Sequence, residues 1–310
     1  TIHEVIKRLR GEIGSHVTII VERDGRDPFL SVTLSRRLIV NVTVTYKMIN
    51  DLGYIKITSF NKRTSKSLEN TLTKIQPAIE SGEIKGIILD LRSNPGGLLD
   101  QAVKVADLFL TKGQIVSTKG RHPDSNQNFS ADEEGFAQNL PLAVLINGNT
   151  ASAAEIVAAA LQDQGRAVVI GTNSYGKGTV QNVITLPNNG ELTLTWSRFH
   201  APSGYTLNNL GVLPTICTSR ETTGNTEKKN ANFTRRPKEL HDGALISETA
   251  LSKWRAEDLP SRKTIEELRA ICPDRKKVSD RDITVAKQLL TEPTLYGRAM
   301  SLSFPAIANR

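Results

Sequence analysis

Three short apolar runs, each followed by a turn rich in glycine or asparagine, constrain the fold of this chain most strongly. They are residues 86–91, 142–146 and 168–171. Apolar runs of this length, of which the first is broken only by Asp90, are typical of strands that are buried on both faces of a parallel sheet. The first two turns lead into stretches with helical periodicity, near 100–110 and 152–161. The pattern predicts an α/β domain with a largely parallel sheet.

The segments around this core have a different character. Apolar residues recur at helical spacing from Ile2 to Leu9, and two β-branched runs, 17–23 and 29–34, are joined by Asp24-Gly25, which favours a hairpin turn. A further helix is predicted at about 64–79. The N-terminal piece is too small to hold a core by itself and does not start with Met, so we expect it to belong to a longer protein.

After about residue 219 the composition changes. Residues 221–239 are polar and charged and are predicted to form a linker or mobile loop. Helical stretches follow near 245–256, 261–271 and 280–291.

Composition makes several classes of protein improbable. No apolar run reaches the roughly 18 residues that a membrane-spanning helix needs. The net charge of +8 is diffuse and lies mainly toward the C-terminus, without a basic motif interleaved with aromatic residues, which disfavours nucleic acid as a partner. Cys217 and Cys272 are too few and too far apart for a zinc site. They could form a disulfide or remain two thiols, and the sequence leaves both open.

The turns after the three apolar strands are the best candidates for chemistry, because sites in open α/β sheets form at the carboxyl ends of the strands. Consecutive glycines at Gly96-Gly97 can expose backbone N–H groups, as an oxyanion hole requires. Ser152 lies at a helix start, beside free amides. Lys177 lies between two glycines, where close packing would remove it from water, lower its pKa and make it a base.

Each of these features also has a simpler explanation. Ser152 alone would be read as an N-terminal helix cap, Gly96-Gly97 as an ordinary turn, and Lys177 as a phosphate ligand or a surface charge. Residues 171–178 nearly fit the phosphate-loop pattern G-x-x-x-x-G-K-[ST]. However, Gly178 replaces the hydroxyl residue, and a strand-like run follows instead of a helix, so we reject a phosphate loop.

A serine–histidine–aspartate triad is disfavoured. None of the five histidines lies at the mouth of a predicted strand–helix turn; they are His3, His16, His122, His200 and His241. The co-occurrence of Ser152, Lys177 and the double glycine at strand ends instead favours a serine–lysine pair.

Four ordered motifs within residues 1–216 resemble those of the carboxy-terminal processing peptidases, also called tail-specific proteases. They are GIILDLRSNPGG (86–97), TASAAEI (150–156), QDQGRA (162–167) and YGKGTVQ (175–181), with weaker matches at PSG (202–204) and GVLPTI (211–216). The spacing of the serine and the lysine also matches the family.

The resemblance implies a role for each motif residue. Ser152 would be the nucleophile and Lys177 the general base, with Gln181 orienting the lysine. The oxyanion hole would consist of the N–H groups of Ala153 and of Gly96 or Gly97. Asp163 matches a recurrent aspartate that we interpret as structural support. No metal or cofactor is expected.

The resemblance also implies a fold and a domain plan. The expected catalytic core is α/β and crotonase-like, over residues 37–219. Residues 1–36 would be the second half of a PDZ domain, mainly β, and residues 220–310 a polar linker with a helical C-terminal extension. The first half of the PDZ domain, which carries the carboxylate-binding loop, is not part of this chain. Ala154 replaces a second serine that is frequent in the family, a change that we regard as tolerable.

The expected function is a serine endopeptidase that cleaves proteins near their C-termini through an acyl-enzyme. Its partners would be proteins or peptides with exposed C-terminal tails, in the cell envelope and most simply in the periplasm. Peripheral association with a membrane is compatible with this pattern, and the sequence does not define the oligomeric state. The alternative is a catalytically weak interaction or scaffold protein, because the PDZ domain is incomplete. Hydrolysis of another acyl substrate on the same core is a third hypothesis.

Overall fold

A computed structural model describes residues 2–23, 29–38, 41–132, 135–188, 190–219, 240 and 242–303. The chain divides into two compact units, Thr1–Val42 and Thr43–Arg310. Two sequence predictions, the turn at Asp24-Gly25 and the linker at 221–239, lie outside the described residues.

In its described residues, the first unit contains one helix and a two-stranded antiparallel sheet, as predicted. Helix α1 spans Ile2–Leu9, and strands β1 and β2 span His16–Val21 and Leu30–Ser35. The Arg36 guanidinium donates hydrogen bonds of 2.8 Å to the carbonyls of Leu9 and His16. Carbonyls at a helix end lack intrahelical partners, so Arg36 joins the end of α1 to the start of β1.

The second unit contains two sheets and seven α-helices in the residues that are described. Its strands are β3 (Val44–Ile49), β4 (Leu52–Ile57), β5 (Gly86–Asp90), β6 (Gln114–Lys119), β7 (Gln127–Ser130), β8 (Leu142–Ile146), β9 (Val168–Gly171), β10 (Thr179–Thr185), β11 (Glu191–His200), β12 (Ile216–Cys217) and β13 (Ala244–Leu245). Its helices are α2 (Thr64–Glu80), α3 (Leu99–Asp107), α4 (Ala153–Asp163), α5 (Glu248–Arg255), α6 (Arg262–Arg269), α7 (Asp280–Thr291) and α8 (Pro293–Ser303).

The larger sheet has seven strands in the order β13-β12-β9-β8-β5-β4-β3. The five inner strands are parallel to one another, and only the edge strands β3 and β13 run antiparallel to their neighbours. The predicted mixed α/β architecture with a largely parallel sheet is therefore confirmed. Because β5, β8 and β9 are adjacent and parallel, their carboxyl ends lie side by side, and the turns that follow them lie close together.

Both faces of this sheet are covered, which explains why its inner strands are apolar on both sides. Alternate residues of a strand point to opposite faces. Leu89 and Val144 accordingly pack in a core with α2, α3 and α4, whereas Ile88 and Leu145 pack in a second core with α7 and α8. Helices α7 and α8 thus pack against one face of the sheet, and α8 is an element that the sequence did not predict.

The smaller sheet is antiparallel, with strand order β10-β11-β6-β7. Of these strands only β10 is preceded by one of the three candidate turns, and it follows Lys177 by two residues. In the part of the chain that is described, no helix combines the length and apolar character needed to cross a bilayer.

The packing of α7 on the large sheet predicts a measurable cost of truncating its core side chain. Leu289 is fully buried in the second core, so Leu289→Ala should lower the free energy of unfolding by about 2–5 kcal/mol. The measurement is urea unfolding. Leu259 is 71% exposed, and Leu259→Ala should change stability by no more than about 0.5 kcal/mol. Equal effects of the two changes would show that α7 does not contribute to the core.

Candidate active site

Ser152 occupies an unusual backbone conformation at the start of α4. Its φ of 57° and ψ of −121° lie outside the β region that N-cap residues normally adopt. Such conformations cost on the order of 1–3 kcal/mol and persist only where the surrounding structure enforces them. Ser152 does occupy the cap position, but a simple capping role does not explain this backbone geometry.

The Asn94–Gly97 turn lies directly against Ser152. Gly96 has a φ of 98°, and a Cβ atom added to it would lie 2.7 Å from the Ser152 Cβ and 3.0 Å from the Ala153 nitrogen. Only glycine permits this approach. The structure therefore brings together the double glycine, Ser152 and Ala153.

The two glycines differ in the direction of their N–H groups. The Gly96 N–H donates a 2.9 Å hydrogen bond to the Asn94 Oδ1. Phe60 forms a parallel bridge with Gly97. In this bridge the Phe60 N–H donates to the Gly96 carbonyl, and the Leu98 N–H donates to the Phe60 carbonyl. In that pattern the N–H of Gly97 itself points away from Phe60. Gly97 is thus better placed than Gly96 to donate an oxyanion hydrogen bond.

The loop after β9 carries Lys177 and packs closely on the backbone of residues 207–209. A Cβ atom at Gly176 would lie 2.9 Å from the Asn209 carbonyl carbon, and one at Gly178 would lie 2.1 Å from the Asn208 nitrogen. Strand β10, not a helix, follows the loop, in agreement with the rejection of a phosphate loop. Lys177 itself is exposed, so the predicted removal of this lysine from water is wrong for the structure as it stands.

Gln181 lies at an irregularity of β10, where the register with β11 shifts between Val180 and Gln181. It is exposed, as Lys177 is. The structure thus places the two on neighbouring segments without burying either.

Glu155 joins two loops, and this role was not predicted. We call residues 147–152, which lead to Ser152, the nucleophile loop, and residues 171–178, which carry Lys177, the base loop. Its Oε2 accepts the N–H of Ser152 at 2.7 Å and that of Lys177 at 2.9 Å. Its Oε1 accepts the N–H of Gly176 at 2.7 Å and the hydroxyl of Ser174 at 2.5 Å. The backbones of the predicted nucleophile and the predicted base therefore share one carboxylate oxygen.

The Glu155 carboxyl is completely buried. Burial raises the pKa of Glu155, and the hydrogen bonds that it accepts act in the opposite direction without cancelling this effect. The available sequence signal was the S-x-x-E pattern at 152–155, which is typical of a helix capping box.

Asp163, at the other end of α4, has the structural role that was expected. Its buried carboxylate accepts hydrogen bonds from the N–H and hydroxyl of Ser203 and from Arg255. Burial raises the pKa of Asp163, although the Arg255 charge opposes this.

The histidines whose side chains are described lie outside the three candidate loops. His16 is in β1, His122 lies next to Asp124, and His200 at the end of β11 contacts Asp258 at 2.7 Å. Among the described residues, no group of three or more His, Cys, Asp or Glu side chains is arranged to hold a metal ion.

Comparison with known proteins identifies the family of this chain. The model of peptidase family S41 matches residues 51–218, more than half of the chain. This chain belongs to peptidase family S41. The expected resemblance to the carboxy-terminal processing peptidases is confirmed by a relative of that name from Bartonella bacilliformis, which is 43% identical over 216 residues, 70% of this chain and 50% of the relative.

Two further relatives support the family assignment. A probable CtpA-like serine protease of Staphylococcus aureus is 35% identical over 215 residues, covering 69% of this chain and 42% of that protein. The solved structure of a photosystem II D1 C-terminal processing protease matches with a TM-score of 0.51 and 28% identity, over 66% of this chain and 55% of that one. The chain therefore spans about half the length of these relatives.

The hydrogen bonds of Glu155 generate a prediction about stability. In Glu155→Gln an NH₂ group replaces one carboxylate oxygen and faces two donors, leaving buried donors without an acceptor. The free energy of unfolding should fall by about 2–5 kcal/mol, measured by denaturant unfolding. Glu248 also lies in the first turn of a helix but is exposed, and Glu248→Gln should have an effect below about 0.5 kcal/mol. Unchanged stability of Glu155→Gln would contradict the anchoring role.

Proposed function

We propose that this chain is a serine endopeptidase that cleaves protein substrates near their C-termini through a Ser152–Lys177 dyad. The observation that supports this best is the shared Glu155 carboxylate, whose Oε2 accepts the backbone N–H groups of both Ser152 and Lys177. A carboxylate that only capped α4 would not also accept hydrogen bonds from the base loop, as Glu155 does. The membership of family S41 supports the same reaction class.

In the proposed reaction, neutral Lys177 takes the proton of the Ser152 hydroxyl, and the Ser152 oxygen attacks the scissile carbonyl carbon. The tetrahedral intermediate collapses as Lys177 returns the proton to the leaving amine, which gives an acyl-enzyme. Lys177 then takes a proton from water as the water oxygen attacks the ester carbonyl carbon. When the second tetrahedral intermediate collapses, the bond to the Ser152 oxygen breaks, Lys177 returns its proton to that oxygen, and the new C-terminal acid leaves. Gln181 is proposed to orient Lys177.

The oxyanion hole is proposed to consist of the N–H groups of Gly97 and Ala153. Ala153 is the first residue of α4, so its N–H has no partner within the helix and points along the positive end of the helix dipole. Gly97 directs its N–H away from Phe60. Gly96 serves to bring the turn close to Ser152, with its own N–H bound to Asn94.

The exposure of Lys177 suggests when the base becomes active. An ammonium group in water keeps its proton at neutral pH, and removal from water favours the neutral amine that a base requires. We propose that a bound substrate chain covers Lys177 and supplies that removal. Strand β10 is an edge of its sheet, starts two residues after Lys177, and carries exposed aliphatic side chains at Val183 and Ile184. An extended apolar polypeptide is the substrate that such an edge would pair with.

We also propose a domain organisation and a cellular location. Residues 37–219 are proposed to form a crotonase-like catalytic core, and residues 1–36 to be the second half of a PDZ domain. Cys217 and Cys272 form a disulfide, a bond that persists in oxidising compartments. This supports an envelope location such as the periplasm, where protein tails would be the substrates.

Alanine substitution tests the proposed dyad. Ser152→Ala and Lys177→Ala should each lower the rate of cleavage of an unfolded protein by at least about a thousandfold. Ser252 and Lys253 are adjacent exposed residues of α5, and Ser252→Ala and Lys253→Ala should retain full activity. Cleavage by Ser152→Ala at the rate of the unchanged chain would exclude Ser152 as the nucleophile. If the unchanged chain cleaves nothing, the scaffold hypothesis is favoured.

A further inference from the structure

Residues 269–282, from the end of α6 to the first turn of α7, contact all three loops of the candidate site. We call them the clamp segment. They lie outside residues 51–218, which the family model matches.

The clamp segment binds the base loop at its start. The Asn173 side chain donates to the Arg269 carbonyl at 2.9 Å, and the Asn173 N–H donates to the Cys272 carbonyl at 3.4 Å. The Arg275 N–H donates to the Thr172 hydroxyl at 3.1 Å. Thr172 and Asn173 are fully buried, so these bonds fix the loop that leads to Lys177.

The same segment binds the nucleophile loop. The Gly148 N–H donates to the Arg275 carbonyl at 3.0 Å, and the side chains of Asn147 and Asn149 both donate to the Lys276 carbonyl at 3.1 Å. Asn147 is fully buried. The loop leading to Ser152 therefore rests on two consecutive carbonyls of the clamp segment.

The Asn94–Gly97 turn, which we call the oxyanion turn, is attached through Arg92, two residues before Asn94. The Arg92 guanidinium donates to the Ser279 carbonyl at 2.7 Å and to Asp282 at 3.0 Å, and it also pairs with Asp90 at 2.7 Å. Burial raises the pKa of Asp90, but the Arg92 guanidinium outweighs this and holds the pKa below its usual value. Asp282 is fully buried and forms a second ion pair, with Arg275, at 2.7 Å.

A covalent bond completes the attachment. The disulfide joins Cys272 of the clamp segment to Cys217 at the end of β12. Cys217 pairs with Gly171, the last residue of β9 and the first of the base loop. The clamp segment is thus tied beside the base loop by the disulfide and to the oxyanion turn by the buried pair of Arg92 and Asp282.

We infer that the clamp segment is a positioning element of the site, and that Asp282 and the Cys217–Cys272 disulfide hold the three loops in register. This inference rests on the proposed peptidase function. It assigns no contact with substrate to the segment, whose residues act through Asn147, Asn173 and Arg92. Small displacements of these loops would move Ser152, Lys177 and the Gly97 N–H relative to one another, which affects the chemical step more than substrate binding.

Two variants test the attachments, each with a matched control. Asp282→Asn is compared with Asp280→Asn, which makes the same charge change in the same first turn of α7 at an exposed position. The double variant that carries both Cys217→Ser and Cys272→Ser lacks the disulfide. Its control is Leu295→Ala, which removes core volume in α8 without touching the clamp segment's attachments. All proteins are assayed on an unfolded protein substrate at a temperature where unfolding curves show them folded.

We expect Asp282→Asn and the double cysteine variant to lower kcat by about 10- to 100-fold with little change in KM, while both controls keep the kcat of the unchanged chain. A kcat equal to the controls would overturn the inference, as would a loss confined to KM.

Amide hydrogen exchange gives a readout that does not need peptidase activity. Exchange in residues 92–98, 147–153 and 172–178 should be faster by at least about tenfold in both test variants, with exchange in α2 unchanged. Unchanged exchange in these loops would overturn the inference even in an active enzyme. If the unchanged chain cleaves nothing but the loops exchange faster in both variants, the proposed function fails while the positioning role stands.

Discussion

The arrangement of this site depends on one buried carboxylate. Glu155 accepts four hydrogen bonds, two on each carboxylate oxygen. One comes from the N–H of Ser152 at the start of α4, and three come from the loop that carries Lys177. A buried charge is tolerated only when it is fully hydrogen-bonded. The two loops therefore cannot separate without leaving that charge unsatisfied, and this cost fixes the backbone of Lys177 relative to Ser152 although its side chain remains exposed.

Close backbone approach is the second requirement, and it explains where glycine occurs. The Ser152 backbone is strained, and the turn at Gly96 comes so near that any Cβ there would collide with it. Gly176 and Gly178 satisfy the same requirement against residues 207–209. Glycine at these positions reports on the packing of the backbone, not on the environment of the neighbouring side chain. That distinction explains why a desolvated Lys177 was wrongly predicted from its flanking glycines.

The sequence was sufficient for features encoded by local periodicity. The buried strands at 86–91 and 142–146 and helices α2, α3 and α4 follow from apolar spacing, and parallel strand order brings their turns to one edge. The anchoring role of Glu155 depends on which loop folds against α4, and the S-x-x-E pattern says nothing about that loop. The pair of Arg92 and Asp282 joins residues 190 positions apart, which no local pattern identifies.

Helices α7 and α8 show that the folded domain extends beyond the end of the family match. The family model ends at residue 218, yet the second core of the large sheet is completed by Val285, Leu289 and Leu295 from α7 and α8. Without these helices Ile88, Leu145 and Ile170 would face water from the middle of the sheet. Exposure of that many aliphatic side chains costs several kcal/mol at roughly 25 cal/mol per Å², which is comparable to the whole stability of a domain. Helices α7 and α8 are therefore part of the folding unit that holds the site, and a chain that ends where the family model ends would lack one face of its own core.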